Sequence, residues 1–157
     1  ASGAEVNINL EKANYLNANG ICTALNFAGG FKLWGNYTCA YPKSTDGLDC
    51  FIPVRRMFNW VANTLILTYW EFIDNKLTRR LCESVSDSAT VWINSLVAAG
   101  HLYGGRIEFL SEENPTEDIM AGIIRPHIYI APPGPAQEIS YILEYDSSYV
   151  SSVLSAS

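Results

Sequence analysis

The apolar positions of this chain change period several times, and each change marks an element. Val6-Asn7-Ile8-Asn9-Leu10 alternates apolar and polar, as a short strand does. Residues 10–19 then offer Ala13, Tyr15 and Leu16 to a core in the manner of a short helix, with Gly20 as its left-handed stop. Ile21 to Phe27 follows as a strand, and Gly29-Gly30 breaks it. Gly35, Pro42, Ser44, Asp46 and Gly47 crowd residues 35–52, which read as loop.

The longest periodic stretch begins at Pro53, a residue that a first helical turn tolerates. Val54, Met57, Phe58, Val61, Leu65, Tyr69 and Phe72 recur at helical spacing. They predict a helix from 53 to about 75, roughly 34 Å long. Trp60, Ile66, Leu67 and Trp70 fall off that stripe, so this helix needs cover on several sides, from its own domain or from neighbours. Asp74-Asn75-Lys76-Leu77 is a short connector and Thr78 a cap for a second helix. Leu81, Val85, Ala89, Trp92, Leu96 and Ala99 carry that helix to about residue 99, and Gly100 ends it. Two long helices across a short connector make an antiparallel hairpin.

The rest is strand-like. Gly104 to Leu110, Ile123 to Ala131 and Gln137 to Tyr145 alternate or run apolar. Pro126 makes the second of these an edge strand or a bulge, and Pro132, Pro133 and Pro135 stiffen the link to the third. Ser147 to Leu154 suits one or two helical turns. The fold class is α+β: an antiparallel pair of long helices packed on a small, mostly antiparallel β-sheet, as a single domain over residues 1–157.

Composition narrows the classes. With 48% hydrophobic and 17% charged residues, the 157-residue chain is a folding sequence. Four Trp and nine Tyr exceed what a small core needs, which suits either protein contacts or an aromatic-rich core. A net charge of −6 leaves no broad basic face for nucleic acid. No run of about 18 apolar residues exists to span a membrane. Cys22, Cys39, Cys50 and Cys82 lie too far apart for a zinc-type pair and read as reduced, structural thiols.

The chemical inventory is thin. His101 and His127 show no metal spacing, and no G-x-S-x-G elbow accompanies the many serines. Glu108, Glu112, Glu113, Glu117 and Asp118 lack a calcium-loop pattern, and Asn114-Pro115 makes their stretch a turn. Gly29-Gly30 and Gly104-Gly105 are not phosphate loops. Arg55-Arg56 and Arg79-Arg80 read as solvated or ion-paired helix ends. No catalytic, metal or cofactor-binding set emerges, which favours structure or binding over catalysis.

Several motifs together are more specific. Asn14 to Ile21, Thr23 to Asn26, Trp34 to Thr38 and Phe51 to Phe58 resemble segments of contractile phage tail sheath proteins. So do Leu96 to Gly100 with Gly104 to Arg106, Glu113 to Thr116, and Pro132-Pro133 leading to Glu144-Tyr145-Asp146. They occur in the family's order and cover roughly residues 14 to 149. The resemblance implies a self-assembling sheath subunit of a phage tail, or of a phage-tail-like particle such as an R-type bacteriocin, assembled in the bacterial host cytoplasm. Its partners would be copies of itself, the tail tube protein, and baseplate and tail terminator proteins. The chain would be the inner, lattice-forming C-terminal domain of a longer protein, and the start at Ala1, without Met, reads as that of a fragment.

On this reading residues 136–157 form a linking arm, with Glu138, Ile139, Tyr141, Leu143 and Tyr145 as inter-subunit contacts. Lys76, Arg79 and Arg80, at the turn of the helical hairpin, either form a solvated turn or face an acidic tube. Two other classes stand beside it: a small thiol-dependent enzyme using Cys82 or Cys50, and a monomeric ligand-binding α+β module.

Overall fold

A computed structural model describes residues 7–151. Helix α1 (Leu10–Ala18) starts where Asn9 turns its side chain back to accept from the Lys12 amide at 3.0 Å. That cap replaces the expected strand: residues 7–9 carry none, and Val6 lies outside the described residues. The chain reverses at Gly20 (φ 77°) and enters an antiparallel ribbon of β1 (Thr23–Asn26) and β2 (Phe31–Trp34). The Gly29-Gly30 break is therefore the tip of a hairpin, whose second strand the sequence reading left out.

Residues 36–51 are mostly loop but hold the one-turn helix α2 (Gly47–Cys50), capped by Asp46. The loop closes on itself: Tyr37 bridges Phe51, and its ring stacks on Tyr41 at 3.9 Å. Helix α3 (Ile52–Tyr69) begins from this platform, with the Ile52 amide bonded to Asn36 and Pro53 in the first turn. A 3₁₀ turn (Trp70–Phe72) ends it earlier than residue 75, because the chain must turn away at Asp74, whose φ is 66°. Helix α4 (Arg79–Ala98) carries the expected cap, Thr78 Oγ1 accepting from the Leu81 amide.

The two long helices run antiparallel. Tyr69, at the end of α3, shares its hydroxyl with Ser88, and Trp60 leans on Trp92. Beneath them lies a second ribbon, β3 (Gly104–Glu108) and β4 (His127–Ala131), paired Gly104 with Ala131 through Glu108 with His127. The strand starts just after Pro126, so the proline stands outside the ladder. Helix α5 (Thr116–Met120) occupies the acidic link between them, which was expected as a plain turn. Asn114 ties that link down, its side chain bonding Leu110 and both backbone groups of Arg125.

The core is where helix meets ribbon. Val61, Leu65 and Ala89 form one cluster, and Ile93, Leu96 and Leu102 the other; Met57, Trp92, Ile107, Ile128 and Ile130 pack against both. Ile93 is fully buried, which the expected stripe of α4 did not include. It fits because Gly105 has no side chain: a Cβ there would stand 2.7 Å from Ile93 Cγ2.

The α+β class and the helix pair hold, with one correction to the sheet. Two separate two-stranded antiparallel sheets replace a single one, and Gln137 to Tyr145 is not a strand. Among the described residues no neighbouring strand offers the third segment its backbone partners.

Candidate assembly interface

After β4 the chain passes Pro132, Pro133 and Pro135 and then makes one firm contact. Gln137 donates from Nε2 to Asn36 Oδ1 at 2.8 Å and accepts from the Tyr37 hydroxyl at 3.2 Å. Burial first, then the nearby Tyr41, raises the Tyr37 pKa, so this hydroxyl keeps its proton and stays a donor at neutral pH. The platform formed by residues 36–51 thus fixes where the arm departs.

Beyond Gln137 the arm leaves the body. Residues 138–146 have no regular secondary structure, and every one is exposed. Tyr141 is 83% exposed, Ile142 94% and Leu143 95%. Ile139 and Tyr145 are also bare, and Glu138 accepts only from Ser140 two residues on. At the far end Asp146 caps α6 (Ser148–Ser151); the Ser148 hydroxyl and amide hold its carboxyl below the usual range. Residues 152–157 of the expected arm lie outside the described residues. A segment with this much bare apolar surface, and no ladder partner among the described residues, is unusual in a chain that works alone.

The β1–β2 ribbon is the second exposed feature. Its register, Thr23 with Trp34 and Leu25 with Lys32, puts Thr23, Leu25, Lys32 and Trp34 on one face. That face meets α1: Leu25 is buried, and Trp34 Nε1 donates to Asn14. The opposite face, with Ala24, Asn26, Phe31 and Leu33, is open. Sequence reasoning missed β2, although Phe31-Lys32-Leu33-Trp34 alternates after a glycine-containing break, which is a hairpin signal.

The remaining expectations fall as follows. Trp60, Ile66, Leu67 and Trp70, which called for cover, stay largely exposed, although Trp60 leans on Trp92 and Trp70 lies in the 3₁₀ turn after α3. Lys76, Arg79 and Arg80 are exposed at the hairpin turn, away from the arm contact; Arg79 pairs with Glu83 at 2.7 Å. That hydrogen bond, and then the carboxylate charge, raises the guanidinium pKa further.

All four cysteines are free thiols, and Cys50 is buried. Cys82 lines an apolar groove of about 470 Å³ between the start of α4 and residues 109–124, with Leu77, Phe109, Ile119 and Ile124. Neither histidine serves it. His127 is held by Glu113 at 2.7 Å and stacks on Tyr129, while His101 is exposed past the end of α4. Among the described residues no group of three His, Cys, Asp or Glu side chains is placed to hold a metal ion. No helix of those residues is long and apolar enough to cross a membrane.

No protein-family model matches the chain. The tail sheath protein of Burkholderia phage BcepMu is 31% identical over 139 residues, 87% of this chain and 29% of that protein. The tail sheath protein of Escherichia phage P2 is 24% identical over 144 residues, 92% of this chain and 35% of that one. Among solved structures, a chain of the six-fold symmetrised anti-feeding prophage baseplate superposes with a TM-score of 0.78 at 21% identity. It is covered over 40% of its length, by 90% of this chain. A chain of the PVC sheath complex of an extracellular contractile injection system, in its contracted state, gives 0.76 at 22%, over 90% of this chain and 42% of that one. The chain spans about a third of the length of the curated relatives it matches. Over that stretch, in sequence and in fold, it is a relative of the contractile tail sheath proteins.

Proposed function

We propose that the chain is the C-terminal, lattice-forming domain of a tail sheath subunit, lying on the inner side beside the tail tube. Its work is structural, not enzymatic. Copies polymerise around the tube and contract to drive it through a bacterial envelope. The homopolymer is the principal partner, with the tube, baseplate and terminator proteins at its surfaces, and its place is the tail of a virion or of a phage-tail-like particle. The relatives' names and the shared fold support this reading.

One observation carries it: the arm from Glu138 to Tyr145 has no regular structure and leaves Ile139, Tyr141, Ile142, Leu143 and Tyr145 uncovered, while the body behind it has its own core. Such a segment completes itself by adding to an open sheet edge of a neighbouring copy. Backbone hydrogen bonds across subunits are directional, so the lattice stays linked while rigid bodies re-pack. Contraction then draws on extra apolar burial, at about 25 cal/mol per Å². Small gains per subunit sum along the sheath. Lys76, Arg79 and Arg80 are the tube-facing charges on this reading.

Deleting residues from 136 onward tests it. The truncated subunit is expected to remain folded by circular dichroism but to form no sheath polymers under the electron microscope. Normal polymers from that truncation would overturn the arm's role.

A further inference from the structure

Residues 110–126, the link between β3 and β4, close their hydrogen bonds upon themselves. Asn114 uses its whole side-chain amide there, donating to the Leu110 and Arg125 carbonyls and accepting from the Arg125 amide. Arg125 in turn donates to the Glu113 carbonyl and pairs with Asp118 at 2.5 Å. The backbone around α5 bonds within the same stretch, Gly122 to Ile119 and Ile123 to Asp118 among others. Among the described residues, the one side-chain hydrogen bond that leaves it runs from His127 Nδ1 to Glu113 Oε1, at 2.7 Å. Stacking on Tyr129, with ring centres 4.3 Å apart, steadies His127 on the body's side of that tie.

The seam between this link and α4 is loosely filled. No residue of 79–88 or of 109–126 is buried, and the first buried side chain of α4 is Ala89. The Cys82 groove and a second one, of about 660 Å³, share Leu77 and Ile124 as walls. Protein interiors are close-packed, so a seam with two such spaces is held by far fewer dispersion contacts. We propose that residues 109–126 form a self-stapled lid that swings as one body about its feet at Glu108 and His127. The Glu113–His127 bond is its latch, and Cys82 lies beneath it. None of the internal staples has to break as the lid moves, so it stays folded. Local opening draws on the least stable contacts of a fold, and here those lie along the seam. The scaffold around Ile93 stays shut meanwhile, because neither core cluster contains a residue of the lid. The body thus has one part able to yield when pressed, whether or not the arm links copies.

Alkylation of the 157-residue chain by a bulky maleimide, read by peptide mass spectrometry, measures the opening at Cys82. Buried Cys50 is the internal control. Glu113→Ala removes the latch and is expected to raise the Cys82 rate about three- to tenfold, the worth of one such hydrogen bond. Glu113→Gln keeps an acceptor for His127 and is expected to fall between the parent and the alanine variant. Cys50 should not change, and amide exchange at Ala121, Gly122 and Ile123 should stay as slow as in the parent. An unchanged Cys82 rate in Glu113→Ala would overturn the latch. Amides that speed up in step with Cys82 would mean the lid melts instead of swinging, and Cys50 rising equally would mean global unfolding; either sinks the proposal. Asn114→Ala is the opposite control. It should release those three amides while the amides of Ile93 and Leu96 keep their protection, and amides that it leaves unmoved would refute the staple.

Discussion

The molecule contains two ribbons of the same kind, each an antiparallel pair of short strands, and they live in opposite surroundings. The β3–β4 ribbon lies under α3 and α4, with Ile107, Ile128 and Ile130 packed against the buried helix residues. Only one face of β1–β2 is covered, through Leu25 and Trp34 against α1, while Phe31 and Leu33 face outward. An isolated two-stranded ribbon is marginal in water, so each must lean on something. For β3–β4 the support is internal. For β1–β2 it is half internal, and the other face stays open in the single chain. The lesson is that strand pairing alone does not say which part is scaffold and which is interface; the cover on each face does.

Mutations on the two ribbons sharpen that contrast. Ile93→Ala removes the fully buried side chain over which Gly105 closes, so about 2–5 kcal/mol of stability should be lost in denaturant unfolding. A loss below about 1 kcal/mol would mean the β3–β4 side is not the scaffold. Gly35→Ala comes next, at the foot of the other ribbon. Its φ of 118° suits glycine, and a Cβ would stand 2.9 Å from Asn17 Oδ1 and 3.1 Å from the Cys22 Cα. About 1–3 kcal/mol is expected, with faster amide exchange confined to α1 and β1–β2. Exchange accelerating equally across α4 would show that the two ribbons do not unfold separately.

The smallest effect on stability belongs to the bare face. Leu33→Ser should change unfolding by no more than about 0.5 kcal/mol, because that side chain is 74% exposed in the single chain. The same variant should impair assembly into polymers by electron microscopy. A large drop in stability without an assembly defect would make the face part of the core after all.

Much of the scaffold was legible beforehand. The Val54, Val61 and Leu65 stripe, the Thr78 cap and the Gly100 stop all stand in the sequence as local signals, and each is realised where it was read. Local physics suffices there, since helix hydrogen bonds and caps close within a few residues. Strands do not work that way. Gln137 to Tyr145 has the right alternation but no ladder, because a strand needs an edge that pairs with it. Conversely β2 was overlooked in a short stretch whose pairing depends on β1 across the turn.

By itself the sequence determined the α+β class, the two long helices, the thin chemical inventory and the resemblance to tail sheaths. The tertiary structure alone decided that the strands form two separate ribbons, that Ile93 is the buried hub, and that the arm's apolar residues stay uncovered beyond Gln137. The physical reason is range. Periodicity records which side chains avoid water, but only the packed chain shows which of them found cover within it and which still await it from another.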